Sequence, residues 1–200
     1  MRRKPVKTYA FVDASNLFYG GEKSLGWKID YEKLLGYLKN KYGVSKAFYY
    51  AGVELNGFNY SVLRDKEIDL EKLLVFHKKK KSFLKYIQRI KFYRKLKKFG
   101  YTLRLKPTKI FRDGGRVVKK ANCDVDLTFD AMRFINDYRR IVLLSGDGDF
   151  AVLVMYLIDI GKSVMILARG ERTAKEIRQI AAERFADFVK LRKALEFVPK

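Results

Sequence analysis

The sequence holds one cysteine, one histidine, one tryptophan and three prolines in 200 residues. Cys123 alone cannot close an intramolecular disulfide, and with His77 as its sole imidazole the chain cannot assemble a zinc site from cysteine and histidine. Any bound metal is therefore expected to be held by oxygen. Apolar runs are short as well, none approaching the roughly 18 consecutive residues that a membrane-spanning helix needs. The start, MRRKPVKTYAFVD, has no signal-peptide core followed by a small-residue cleavage site, so the expectation is a cytoplasmic protein with no membrane partner.

Acidic residues are scarce too, with 22 Asp plus Glu against 44 Lys plus Arg for a formal charge of +22. The imbalance is local. From His77 to Lys120 there are 18 Lys or Arg and one acid, Asp113, so 44 residues carry +17 and the other 156 carry +5. A concentrated positive field attracts polyanions, of which nucleic acid is the commonest, although anionic lipid or a structural seat on ribosomal RNA satisfies the same field.

What is present is a strand and helix rhythm. With 48% hydrophobic residues the chain can bury the core of one α/β domain, and we read 1–200 as a single domain with a basic insertion at about 54–120. Thr8 to Asp13 (TYAFVD) reads as a buried strand ending in an acid. Asp30 is placed to cap a helix from Tyr31 to about Lys41, with Gly43 as its stop, and Val44 to Val53 follows as a strand. Inside the insertion, Phe83, Tyr86, Ile87, Ile90, Tyr93, Leu96 and Phe99 recur at helical spacing, and Gly100 terminates them. Tyr101 to Lys106 alternates as a strand does, and Asp113-Gly114-Gly115 signals a hairpin between two basic strands. The rhythm then resumes with a helix at Asp124 to Asn136, a strand at Ile141 to Ser145 and a helix at Phe150 to Ile160. A strand at Ser163 to Leu167, a helix at Thr173 to Glu183 and an edge strand at Phe185 to Leu191 complete it. These predict a sheet of five or six mostly parallel strands with helices on both faces.

In such sheets ligands collect at the carboxyl ends of the strands, where strand order reverses. Asp13 closes the first strand, and Asp147 and Asp149 follow IVLLS in the loop SGDGDF. Gly146 and Gly148 are expected to give that loop unusual backbone angles, turning both carboxylates toward one point, and Asp149 can cap the next helix. Asp124, Asp126 and Asp130 lie on the helix after the insertion, the last two sharing a face. Gathered carboxylates repel by about 1 kcal/mol per pair at 4 Å even in water. A hard divalent cation, Mg²⁺ or Mn²⁺, relieves that repulsion and leaves positions for phosphate oxygens. The chemistry this suggests is phosphodiester hydrolysis, with Asp13 or Asp147 orienting or deprotonating the attacking water.

Three ordered motifs now stand together: FVDASNL (Phe11 to Leu17), NCDVDLTFDAM (Asn122 to Met132) and LLSGDGDF (Leu143 to Phe150), the last followed by an apolar helix and Gly161-Lys162-Ser163-Val164. This pattern resembles the NYN branch of the PIN-like nucleases over most of the chain outside 54–120. The resemblance implies a PIN-like, Rossmann-like three-layer fold and a Mg²⁺- or Mn²⁺-dependent endoribonuclease. It makes Asp13, Asp124, Asp147 and Asp149 the catalytic and metal-binding acids. Asn16 then supports the site, Asp130 is a second-tier acid, and Ser145 touches metal, water or phosphate. The chain departs from the pattern just ahead of the helix acid, where family members often carry lysine and glycine and this sequence has Ala121 and Asn122, with Lys120 one place earlier.

RNA is the expected partner, a homodimer being a further candidate assembly, and its contacts are expected on Lys85, Arg89, Arg94, Lys95, Lys97, Lys98, Lys119 and Lys120. Plainer roles stand beside these. Asp13 and Asn16 equally suit the cap of a helix, Asp126 suits solvent, and the run Lys78 to Lys81 suits a solvated segment. Cys123 and Trp27 are expected to pack in the core, and His77 to lie on the surface. A non-catalytic RNA-binding module of the same fold is the alternative function. A phosphatase of the haloacid dehalogenase type wants a second acid where Ser15 stands, and a topoisomerase-primase site wants glutamate where Asp13 stands.

Overall fold

The computed structural model describes residues 7–18, 23–80, 84–113 and 116–199, and the side chains of residues 110–120 are not described. Its elements run β1 (Thr8–Asp13), α1 (Ala14–Asn16), α2 (Lys23–Leu25), α3 (Tyr31–Tyr42), β2 (Val44–Val53), α4 (Leu70–Lys79), α5 (Leu84–Phe99) and β3 (Tyr101–Pro107). They continue with β4 (Lys109–Asp113), β5 (Arg116–Lys120), α6 (Asp124–Arg133), β6 (Arg140–Leu144) and α7 (Ala151–Asp159). The chain finishes with β7 (Ser163–Ala168), α8 (Lys175–Ala181), β8 (Phe185–Asp187) and α9 (Arg192–Leu195).

Six strands form one sheet in the order β3-β2-β1-β6-β7-β8, and every pairing within it is parallel. Because side chains alternate along a strand, β1 sends Ala10 and Val12 to one face and Tyr9 and Phe11 to the other. The first face packs on α3, α4, α5 and α9 through Leu34, Leu38, Leu73, Ile90, Tyr93, Leu96 and Leu195. The second packs on α6, α7 and α8 through Leu127, Ala131, Val154, Leu157 and Ile177. The architecture is thus α/β, in three layers.

The basic stretch is not wholly separate from this core. Its α5 buries Ile90, Tyr93 and Leu96, and β3 joins the sheet as an edge strand beside β2, while β4 and β5 form their own antiparallel pair. Phe83 and Lys81, and the Gly114-Gly115 turn, lie outside the described residues. The helix α4, capped by the Asp69 carboxylate, has no counterpart among the elements expected from sequence. The final strand is shorter than expected, three residues followed by a 3₁₀ turn at Phe188–Leu191. His77 also departs from expectation. It is fully buried between the rings of Phe76 and Tyr86, because α4 turns it inward together with Leu70, Leu73 and Leu74.

Candidate metal centre

Strand order reverses between β1 and β6, since β1 leads to β2 on one side and β6 to β7 on the other. A crevice at the carboxyl ends of these two strands is where such a fold presents a site. Asp13 ends β1 there, and the loop 145–149 leaves β6 beside it.

Three carboxylates meet at this point. Asp124, Asp147 and Asp149 each place an oxygen within 4.8 Å of the others. Asp124 and Asp147 are half-buried, Asp149 is exposed, and among the described residues none of the three is ion-paired. Burial, then the charge of Asp13, then those of Asp147 and Asp149 push the Asp124 carboxyl above its usual range, while a hydrogen bond with Asn122 pulls the other way. The Asn122 side chain also accepts from the Asp124 amide at 2.8 Å, so it starts α6 in place of Cys123, which makes no side-chain cap. Burial pushes the Cys123 thiol up to about 12, consistent with the packing role expected of it.

Asp13 stands behind this group rather than within it. It is buried, and its Oδ1 accepts from the Ser15 amide at 3.0 Å, the Ser15 hydroxyl at 2.7 Å and the Asn16 amide at 3.2 Å. Its Oδ2 accepts from the Ser145 hydroxyl at 3.1 Å, and Ser145 Oγ in turn accepts from the Asp147 amide at 3.2 Å. Asn16 Oδ1 accepts from the Gly146 amide at 3.0 Å. Asp13, Asn16 and Ser145 therefore form one polar lattice that sets the loop carrying Asp147.

The two loop glycines serve a different purpose from the one expected. Neither has a positive φ. A Cβ on Gly146 would instead come within 2.6 Å of Thr173 Oγ1 and 2.9 Å of its Cα, and one on Gly148 within 3.2 Å of the Ala174 Cβ. Close approach of the 173–174 segment, held by the Ala174 amide donating to the Gly146 carbonyl at 2.8 Å, is what requires them. The local cap likewise falls to Asp147, which accepts from the Asp149 amide at 3.1 Å, and not to Asp149.

Asp130 is buried away from the three clustered acids. It accepts from Arg104 on β3 and from the Tyr50 hydroxyl on β2 at 3.1 Å, while Asp126 pairs with Lys106 at 2.6 Å. The shared face of α6 thus docks the helix on the sheet edge. Arg94, expected at RNA, pairs with Glu71 at 2.6 Å. Lys85, Arg89, Lys95, Lys97 and Lys98 are exposed, and the side chains of Lys119 and Lys120 fall outside the description. Ser15, Thr173 and Ala174 join the site beyond the residues that the sequence marks for it. Ser15 had a local signal, the short polar residue two places after an acid, but the approach of 173–174 to the loop has none.

The donor set is oxygen only and carries three negative charges at one point, which fits a hard divalent cation. Fold and centre together define a three-layer α/β protein with a carboxylate site at the strand-order reversal. The chain belongs to the NYN domain family, whose model matches residues 7–189. It is similar to the low amplitude and bright protein LabA of Synechococcus elongatus, 27% identical over 98% of this chain and 91% of that protein. Among solved structures it resembles a protein of unknown function, VPA0982, from Vibrio parahaemolyticus, with a TM-score of 0.62 and 23% identity over 91% of this chain and 93% of the other. A bacteriophage T5 5′-exonuclease with bound zinc overlaps more loosely, with a TM-score of 0.48 and 15% identity over 86% of this chain and 60% of that one.

Proposed function

We propose that this chain is a metal-dependent ribonuclease, with residues 1–200 acting as one NYN domain whose basic stretch at about 54–120 holds RNA. The observation that carries the reading is the meeting of Asp124, Asp147 and Asp149 within 4.8 Å, without an ion-paired cation among the described residues. Membership of the NYN family supports nuclease chemistry.

In this reading Asp124, Asp147 and Asp149 hold Mg²⁺ or Mn²⁺. When bound, such an ion lends Lewis acidity toward water and phosphate oxygen. The protein's own residues do the rest. Asp13 and Ser145 fix the Asp147 backbone, so that its carboxylate can accept a proton from a water aimed at the phosphodiester. Asn16 holds the Gly146 amide and Asn122 the start of α6, which keeps the acids on their two elements from drifting apart. Charge repulsion alone would separate them.

The basic surface supplies the affinity. Lys85 and Arg89 lie on the half of α5 that begins nearer the acid edge. Lys95, Lys97 and Lys98 lie toward the opposite edge, because α5 ends just before β3 and β3 runs parallel to β1.

The test is cleavage of a labelled single-stranded RNA with Mg²⁺, Mn²⁺ or EDTA. Cleavage by the unaltered chain that needs the metal and is lost in Asp147→Asn, with RNA binding retained, is the expected result. Binding without cleavage under every metal condition would replace this reading with that of a non-catalytic RNA-binding module.

A further inference from the structure

The acid centre presents only negative charge to a polyanion, so a strand lying across it needs cations close by. The exposed cations at the C-terminal end of α5 are on the wrong edge of the sheet. At about 1.5 Å of rise per residue, Lys98 sits roughly 20 Å along the helix from Lys85. The segment after β7 is better placed. β7 ends at the acid edge, and the chain then folds back so that Thr173 and Ala174 pack against Gly146 and Gly148 of the acid loop.

That segment borders a cleft of about 460 Å³ lined by Gly170, Glu171, Thr173, Lys175, Arg178 and Gln179. Its volume falls within the ~300–1,000 Å³ usual for ligand sites. The Glu171 carboxylate is engaged by Arg169 at 2.7 Å. Lys175 and Arg178 are exposed and, among the described residues, form no ion pair, so the cleft's charge is uncompensated and positive. Among the described residues Arg178 reaches only the Gly170 carbonyl, at 3.5 Å, which leaves most of its guanidinium donors for another acceptor. A fork of guanidinium donors, a lysine and neutral polar groups in one cleft match the oxygens of a phosphate.

We propose that this cleft is a subsite for a backbone phosphate of the RNA strand flanking the scissile bond, with Lys175 and Arg178 as its binding residues. The proposal rests on the nuclease reading. Thr173 joins subsite to centre, since its hydroxyl oxygen, Cα and Cβ pack on Gly146 while the hydroxyl donates to the Arg169 carbonyl at 2.8 Å.

The experiment measures binding of a fluorescent single-stranded RNA across a salt series, in an Asp147→Asn background that prevents turnover. Lys175→Ala/Arg178→Ala is compared with Arg139→Ala/Arg140→Ala, which removes the same charge from a basic cleft at the opposite, strand-start edge. The expected result is a salt slope smaller by ~0.7 for the first pair, the change for the one phosphate no longer neutralised, with no change for the second. Equal reductions in both pairs, or none at Lys175 and Arg178, would overturn the subsite. All four side chains lie at the surface, and matched melting temperatures would show that the variants fold. A chain that cleaves RNA with an unaltered slope sinks the subsite alone, whereas a chain that neither binds nor cleaves RNA sinks the nuclease reading with it.

Discussion

Ser145 donates its hydroxyl to Asp13 at 3.1 Å across the boundary between β6 and β1, and the same oxygen accepts the Asp147 amide at 3.2 Å. One small side chain therefore ties a buried carboxylate on one strand to the backbone of a metal-binding candidate beyond another. Ser145→Ala removes both links without adding bulk. Residues that orient ligands typically contribute 10- to 100-fold to metal affinity or activity. We expect the Mn²⁺ concentration for half-maximal cleavage to rise by about that factor, and Ser145→Thr to recover part of it. An Ala variant with unaltered Mn²⁺ dependence would show that the link is ornamental.

The Asp124 carboxyl is raised by burial and by its neighbouring acids, so ionising it costs more in the folded protein than in the unfolded chain. Without a divalent ion, Asp124→Asn should melt higher. Taking about 1 kcal/mol in all for this partly solvated cluster, and 2–4 °C per kcal/mol for a chain of this size, the gain is roughly 2–4 °C. The sign follows from linkage. The wild-type deficit is full above the raised folded value, shrinks as pH falls, and vanishes below the unfolded value of about 3.9. Added Mn²⁺ should reverse the order by stabilising the wild type more. Scanning calorimetry at neutral and acid pH checks both, and an apo variant that melts lower than wild type contradicts the crowding argument.

Arg104 and Tyr50 satisfy the buried Asp130 carboxylate, which is 6% exposed, against 35% for the guanidinium. Arg104→Met leaves that carboxylate with Tyr50 alone. Breaking a fully buried pair costs about 3–5 kcal/mol, and the partly wet guanidinium lowers the expectation to about 2 kcal/mol. Arg104→Met/Asp130→Leu should regain most of the loss, because no charge then remains buried. Urea unfolding of both variants tests this, and a double variant as unstable as the single one argues that packing, not charge, was lost.

His77 is fully buried, and its pKa is lowered mainly by burial, with Lys80 adding to the effect and Glu54 opposing it. The neutral imidazole is thus favoured by folding. Its contribution is present above the unfolded value of about 6.5 and is lost as pH falls below that toward the lowered folded value. The urea midpoint of the wild type should drop more between pH 7.5 and 5 than that of His77→Gln. Parallel pH profiles for the two proteins would remove His77 from the acid sensitivity.

Local rules made much of this molecule legible from its residues. The alternating faces of β1, the Asp30 cap, the Gly43 stop and the helical spacing of Ile90, Tyr93 and Leu96 are short-range matters of periodicity and hydrogen bonding, and each stands where expected. The order of the three acidic motifs also pointed to one strand edge. By contrast, the inward turn of His77, the close approach that demands glycine at 146 and 148, and the engagement of Asp130 by Arg104 depend on which surfaces meet. Spacing fixes which side of its own helix or strand a residue occupies. Only the packing of elements far apart in the chain decides that Asp124, Asp147 and Asp149 share a centre, that Asp13 stands behind it, and that Thr173 and Ala174 pack on its loop.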